Sequence, residues 1–319
     1  MKKLFFLSLL FMSFCQGMFA MGIADVAFSP NGRSIAFVGA ERNEQGIFTY
    51  MMQFNAADGE LSKVFYGEYR DVYENCLSYS PDGRTIAVGS FNTTVMLWDI
   101  ASGDIIRVFE GHNGGVRSVV FGPDGRILIS GATDNMIKIW NIATGRVIRT
   151  INIDSSANTI VYSPDGNTFF AGLSNGQIKQ WNVETGNEIR TFTGHTDSVN
   201  SIAISPDGRT IVSGSKDTYV KLWNTANGRE INSFFGIEYS VNSIAFSPDG
   251  RTFAYGGTGD GAIRICDTVT GREVRRIPGA AGVVMCIKYS PDGRYIAQTT
   301  LNSVVLWDAA NGSYIRSIP

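Results

Sequence analysis

The residues most able to do chemistry in this chain gather around its two histidines, His112 and His195, each preceded by a glycine. Counting from His112, Ser130, Asp134 and Trp140 stand 18, 22 and 28 residues on, and Ser213, Asp217 and Trp223 stand at the same three offsets from His195. A serine hydroxyl, an imidazole that takes its proton and a carboxylate that orients the ring are the parts of an acyl-transfer site. The duplication argues otherwise. A catalytic constellation is needed once, beside one pocket, whereas a packing device recurs wherever its structural unit recurs. Elsewhere the pattern decays, with Asn92 and Asn175 at the aspartate position and Val88, Ala171, Tyr255 and Gln298 at the serine position. Segments with these replacements are expected to lean on apolar packing.

Nothing else in the chain offers better catalytic equipment. Gly256-Gly257-Thr258-Gly259 has the look of a phosphate cradle, but it falls in a turn between two strands with no helix after it. No spacing of His and Cys suits a metal, and no cofactor is expected. Once Cys15 is set aside, Cys76, Cys266 and Cys286 remain, an odd set expected as buried thiols rather than a disulfide framework. Net charge is -2, and without Lys2 and Lys3 there are 25 basic against 29 acidic groups. Such a balance excludes a nucleic-acid wrapper, whose affinity would come from neutralising phosphates.

The elements that must position these residues follow from a repeat. Ser-Pro-Asp-Gly or a near copy begins at Ser29, Ser80, Gly122, Ser163, Ser205, Ser247 and Ser290, with spacings of 51, 42, 41, 42, 42 and 43, and it takes up seven of the nine prolines. Proline presets φ, aspartate bonds locally and glycine supplies positive φ, so each copy is a tight turn. It joins two short β-rich runs into a hairpin, strands a and b. A third strand ends in an aromatic-polar pair, Phe54-Asn55, Trp98-Asp99, Trp140-Asn141, Trp181-Asn182, Trp223-Asn224, Cys266-Asp267 and Trp307-Asp308, which consumes all five tryptophans. Five residues after its aromatic member a glycine recurs without exception (Gly59, Gly103, Gly145, Gly186, Gly228, Gly271 and Gly312), placing a turn before a fourth strand. Each unit is a four-stranded antiparallel meander with apolar residues on both faces, and radial stacking covers both.

This pattern resembles the WD-repeat β-propeller family over residues 22–319. The resemblance implies an all-β, seven-bladed propeller of four-stranded antiparallel blades around a central channel. It also implies that His112, Ser130, Asp134 and Trp140, and likewise His195, Ser213, Asp217 and Trp223, are hydrogen-bonded structural tetrads. Strand a of the first blade is expected at Ile23–Phe28 and strand d of the last at Tyr314–Ile318. Many family members share an N-terminal strand with the final blade; here the ring is expected to close by side-chain packing alone. Near the start of strand a, one register holds Asn75, Arg117, Asn158, Asn200 and Asn242, with Met285 and Ala24 in the other two blades. Strands disfavour asparagine. In the family these strand beginnings ring a channel mouth that contacts partners, so the set is a candidate partner-binding ring, with hydration of the entrance or strand capping as the alternative. A polar loop over Glu41-Arg42-Asn43-Glu44-Gln45-Gly46 and tyrosines Tyr66, Tyr69 and Tyr73 form a second candidate surface.

The first twenty residues read differently. Lys2 and Lys3 precede an apolar run from Leu4 to Phe14, and small residues follow at Gly17 and Ala20. This is the layout of a secretory signal peptide cleaved after Gly17 or Ala20, with an uncleaved membrane anchor as the alternative. The expectation is an exported, periplasmic or secreted monomer that binds a protein or peptide without catalysis. The second reading is a small-ligand or glycan receptor, hydrolytic or not, at the channel mouth.

Overall fold

A computed structural model describes residues 19–43, 46–70, 74–280, 282–300 and 302–318. Its strands fall into seven antiparallel sheets, each of four strands consecutive in sequence, spanning 19–70, 74–109, 116–152, 157–192, 199–235, 241–277 and 287–318. These are blades 1 to 7, with strands a to d in chain order. Blade 5 is representative, with strands Val199–Ile204, Thr210–Ser215, Tyr219–Asn224 and Glu230–Phe235. First strands of neighbouring blades lie against one another, including blade 1 against blade 7, so the innermost strands close a ring.

No blade has a core of its own. The buried apolar residues form seven clusters, and each spans two adjacent blades; Phe170, Ile178 and Phe192 of blade 4, for example, pack with Val199, Ile202, Ile211 and Trp223 of blade 5. The cluster that joins the chain's two ends sets Ile23, Val26, Phe37 and Phe54 against Cys286, Val304, Leu306 and Ile318. Fully burying one such aliphatic side chain contributes roughly 1.5–3 kcal/mol. Stability therefore resides at blade interfaces, and a lone blade would leave both faces in water.

Three sets of contacts reinforce these interfaces, and the first two run around all seven junctions. In the outer ring, a long side chain of strand d reaches the turn between strands c and d of the next blade. Lys63 Nζ donates to Ala101 O (2.6 Å), Arg107 to Ala143 O (2.9 Å), Arg149 to Glu184 O (3.0 Å), Arg190 to Thr225 O (2.6 Å), Asn232 to Thr270 O (3.2 Å), Arg275 to Ala309 O (3.0 Å) and Arg316 to Ala57 O (2.6 Å). The invariant glycine of that turn is doubly required. At Gly186 φ is +72°, and a Cβ would collide with the Arg149 side chain. On the face of the a–b turns, each proline abuts the turn glycine of the next blade, ending with Pro291 against Gly32. Around the channel, Ser118, Ser201 and Ser243 Oγ accept from Ile160, Ile244 and Ile287 N at 2.9, 3.1 and 2.9 Å, and Asp25 Oδ2 takes the same place for Leu77 N at 3.0 Å.

The expected closure without a shared strand holds: among the described residues, blade 1 and blade 7 each keep their own four strands. Two local expectations change. Strand a of blade 1 spans Phe19–Phe28 rather than starting at Ile23. The stretch expected as a polar loop is largely strand, because Glu41, Arg42 and Asn43 stay in register with Phe48, Ile47 and Gly46. The β-rich run Ile47-Phe48-Thr49-Tyr50 offers a partner to the polar residues, and blade 1 gains strands of ten residues where the others have three to six.

Candidate functional site

The two tetrads form, and their geometry is that of a closed hydrogen-bond chain. His195 lies in the connection before strand a of blade 5, Ser213 in strand b and Trp223 in strand c, with Asp217 in the turn between b and c. His195 Nδ1 is 2.8 Å from Asp217 Oδ2, His195 Nε2 is 2.8 Å from Ser213 Oγ, and Trp223 Nε1 donates to the same Oγ at 2.8 Å. Asp217 further accepts from the backbone N–H groups of Thr196 and Tyr219. One proton assignment satisfies every group: Trp N–H to Ser Oγ, Ser O–H to His Nε2, His Nδ1–H to Asp. In blade 3, His112 meets Asp134 and Ser130 at 2.8 Å each, and Trp140 meets Ser130 at 2.8 Å.

Burial of both imidazoles pushes their pKa values below the usual histidine value, opposed by hydrogen bonding and charge from Asp134 and Asp217. Both rings are neutral at pH 7. The serine hydroxyls are fully buried, and the histidines are only 4% and 7% exposed. A nucleophile with no accessible face, its oxygen already engaged by a tryptophan, cannot meet a substrate carbonyl. The tetrads hold the connection before strand a onto strands b and c.

The eroded blades only partly follow expectation. In blade 2, with Val88 at the serine position, Trp98 Nε1 is buried without an acceptor. Blade 7 is a correction: Gln298 does not leave packing alone, because its Oε1 accepts from Trp307 Nε1 at 2.9 Å. A longer amide side chain reaches the indole from the same register. Cys76, Cys266 and Cys286 are buried and form no disulfide with one another, as expected, and burial pushes the last two up to about 12.

The ring of strand a residues serves first as architecture. Asn158, Asn200 and Asn242 Nδ2 donate to Val199, Val241 and Val284 O of the next blade, each at 3.1 Å, and the first two also reach Ser198 and Ser240 Oγ at 2.8 Å. These amides staple blade to blade at the mouth while remaining half-exposed. Arg117 is exposed. The side chains of Asn75, Tyr66 and Tyr69 lie outside the described residues, as does Tyr73.

Sequence reasoning missed the exposed aromatics on the same face. Each meander starts strand a, ends strand d and makes its b–c turn at one end. That end carries Tyr219 and Phe235 of blade 5, with ring centroids 6.4 Å apart, together with Tyr239 in the connection to blade 6, Phe91 in the b–c turn of blade 2 and Met285. Tyr219 and Phe235 stand in strands, where aromatic residues are expected for β-propensity alone, so nothing marked them in advance.

At the other end, the cleft between blades 5 and 6 encloses about 760 Å³ and includes Asp207, Asp249 and Asp267. Its acids face their own turns: Asp207 bonds Ser205, Asp249 bonds Ser247 and Asp267 bonds Thr270. No aromatic wall lines it. Among the described residues, no three His, Cys, Asp or Glu side chains converge on a metal position.

Four consecutive segments, 59–99, 103–141, 145–182 and 186–224, match the family described as WD domain, G-beta repeat. This part of the seven-bladed propeller is built of WD repeats. Each matched segment opens at the glycine before strand d of one blade and closes at the aromatic-polar pair of the next, so a WD repeat straddles two blades, and the tetrads fall inside the segments 103–141 and 186–224. Residues 207–311 also match the family described as eukaryotic translation initiation factor eIF2A. Among curated relatives, an anaphase-promoting complex subunit cdc20 of Dictyostelium discoideum is 34% identical over 68 residues, 21% of this chain and 14% of that protein. A U5 small nuclear ribonucleoprotein 40 kDa protein of Pongo abelii is 39% identical over 61 residues, 18% of this chain and 17% of its own. A transcription initiation factor TFIID subunit 5 of Caenorhabditis elegans is 37% identical over 59 residues, 18% and 9%. The chain thus spans under a fifth of the length of each of these relatives. By name, two of these relatives are subunits of larger assemblies, the anaphase-promoting complex and TFIID.

Proposed function

We propose that this propeller is a non-catalytic platform outside the cytoplasm that binds a protein or peptide segment on the face where strands a begin. The observation that carries the reading is the exposed aromatic group Tyr219, Phe235 and Tyr239 on that face. Aromatic anchors beside a rigid polar rim are the usual material of a protein-binding hot spot. Arg117, Asn158, Asn200 and Asn242, with Asn75 in the same register, form that rim, the asparagines fixing its shape. Lys2, Lys3 and the apolar run to Phe14 support export. No feature of the cleft between blades 5 and 6 favours a glycan or hydrolytic site over this reading.

Affinity capture with the mature chain as bait, alongside a Phe235→Ala/Tyr239→Ala variant and an Arg117→Ala variant with unchanged melting, tests the face. Loss of the same partner from the aromatic variant supports the proposal. Retention of every partner by both folded variants removes it. Export is tested separately by N-terminal sequencing of the protein from its producing cell, where a chain beginning at Met18 or Met21 is expected and one beginning at Met1 in the cytosolic fraction counts against it.

A further inference from the structure

One blade breaks a rule that the other six obey. In strand c, the residue two before the aromatic of the aromatic-polar pair shares a face with it, and the residue opposite that aromatic begins strand d. In blades 4, 5 and 6 these two positions hold a cation and an acid that meet: Lys179 with Glu188 (3.2 Å), Lys221 with Glu230 (2.8 Å) and Arg264 with Glu273 (3.8 Å). In blades 1, 2 and 7 both positions are apolar: Met52 and Leu61, Met96 and Ile105, Val305 and Tyr314. Blade 3 alone mixes the classes, with Lys138 in strand c and Val147 opposite Trp140. Lys138 is 7% exposed and its ammonium donates to Thr150 Oγ1 at 3.0 Å, while no carboxylate lies within ion-pair distance among the described residues. Glu110, exposed in the connection before His112, makes no ion pair with it.

A nearly buried ammonium held by one neutral hydroxyl has surrendered hydration without gaining a counter-charge. The place for that counter-charge is known from the three neighbouring blades, and here it is marked by Val147, 39% exposed. Trp140 and Lys138 face blade 2, so the position opens into the outer groove between blades 2 and 3. Toward the a–b turns, Ile106, Phe121 and Ile142 border a cleft of about 290 Å³ that Asp82 and Asp124 also line, each carboxylate bonded within its own turn. Ile106 and, on the outer strand of blade 3, Ile148 are exposed. A lysine stem of four carbons lets the ammonium swing outward to meet an arriving acid.

We propose that Lys138 is a docking point for a carboxylate supplied by a partner protein: a Glu or Asp side chain, flanked by aliphatic residues, seats in the groove between blades 2 and 3 where Glu188, Glu230 and Glu273 sit in the later blades. This surface lies on the circumference of the ring, away from the face of the strand a beginnings, and its readout is local. Failure here leaves the mouth reading standing, and the reverse holds too.

The test uses the full chain labelled with ¹⁵N-lysine, titrated with acetyl-Leu-Glu-Ile-Glu-Leu-amide and with its Gln counterpart. The Lys138 Nζ signal is assigned by its loss in Lys138→Met. The Glu peptide is expected to shift that signal and to bind at least about tenfold more tightly than the Gln peptide. Val147→Glu, which supplies the acid internally, is expected to abolish the shift, whereas Val147→Gln keeps it. Equal responses to both peptides, no response to either at millimolar concentration, or a shift that survives Val147→Glu would overturn the proposal. Stability gives a second reading: Lys138→Met is expected to melt at or above the parent, because no acid is left unpaired, while Lys221→Met leaves Glu230 alone and melts lower. Equal losses in the two variants would show that Lys138 already has its counter-charge inside the chain and would likewise overturn it.

Discussion

Replacing Ser213 with alanine removes one oxygen and leaves two groups stranded. Ser213 Oγ accepts the Trp223 N–H at 2.8 Å and pairs with His195 Nε2 at 2.8 Å, and all three residues are buried. A buried polar group without a partner costs about 1–3 kcal/mol, so the two together cost about 2–6 kcal/mol. Unfolding entropy near 2.1 cal/mol/K per residue gives about 0.6 kcal/mol/K for roughly 290 ordered residues. The expected fall in Tm is therefore about 3–10 °C, read by calorimetry or by circular dichroism at pH 7.5. Blade 2 shows what the broken state looks like, because Trp98 Nε1 is buried there without an acceptor. A change in Tm below about 1 °C would refute the energetic reasoning. A hydrolytic activity lost from Ser213→Ala at unchanged Tm would refute the structural assignment of the tetrad itself.

Acid should loosen the fold before any carboxylate titrates. Burial lowers the pKa of His112 and His195 in the folded chain, so the unfolded chain, whose histidines titrate near 6.5, binds protons first as pH falls. Stability is full above about pH 6.5 and declines below it by up to about 1.4 kcal/mol per pH unit for each histidine; urea titrations from pH 7.5 to 5 measure the slope, and His112→Gln/His195→Gln should flatten it. Arg316→Ala, which removes the bond to Ala57 O across the junction of blades 7 and 1, should cost about as much as Arg190→Ala, which removes the bond to Thr225 O, roughly 1–3 kcal/mol in denaturant melts. A far larger loss for Arg316→Ala would mark that junction as the weak point of the ring. Gly186→Ala meets both a φ of +72° and the Arg149 side chain, whereas Gly282→Ala at φ +93° meets nothing within 4 Å. The first should lower stability by about 2–4 kcal/mol and the second by about 1–2 kcal/mol, compared by the same melts.

What the sequence made legible was whatever backbone geometry demands of a particular residue type. The Pro-Asp-Gly turns, with Asn31 for aspartate in blade 1, and the glycine before strand d appear in every blade because positive φ and a close neighbour leave little choice, and from these the sheet count and topology follow. The tetrads were legible because four polar residues at fixed offsets occurred twice. The outer ring of staples left a signal that went unread: Lys63, Arg107, Arg149, Arg190, Asn232, Arg275 and Arg316 each stand four residues after the invariant glycine. The asparagine ring was visible as a register, but its bonds to the next blade were not, because they join residues about forty apart in the chain. Lys138 was hidden for a different reason. Its oddness lies in a missing partner, which is seen only when seven blades are laid on one register with pairing known.

The claim on which all of this depends is that seven meanders close into one ring through side-chain contacts, with no strand exchanged between the first and the last. Amide hydrogen exchange on the native chain tests it most directly. The account predicts that the slowest amides in strands b and c of blades 1 and 7 open with the same free energy as those of blades 4 and 5, in one cooperative step. Blades 1 and 7 exchanging early as frayed ends, while blades 3 to 5 stay protected, would contradict it.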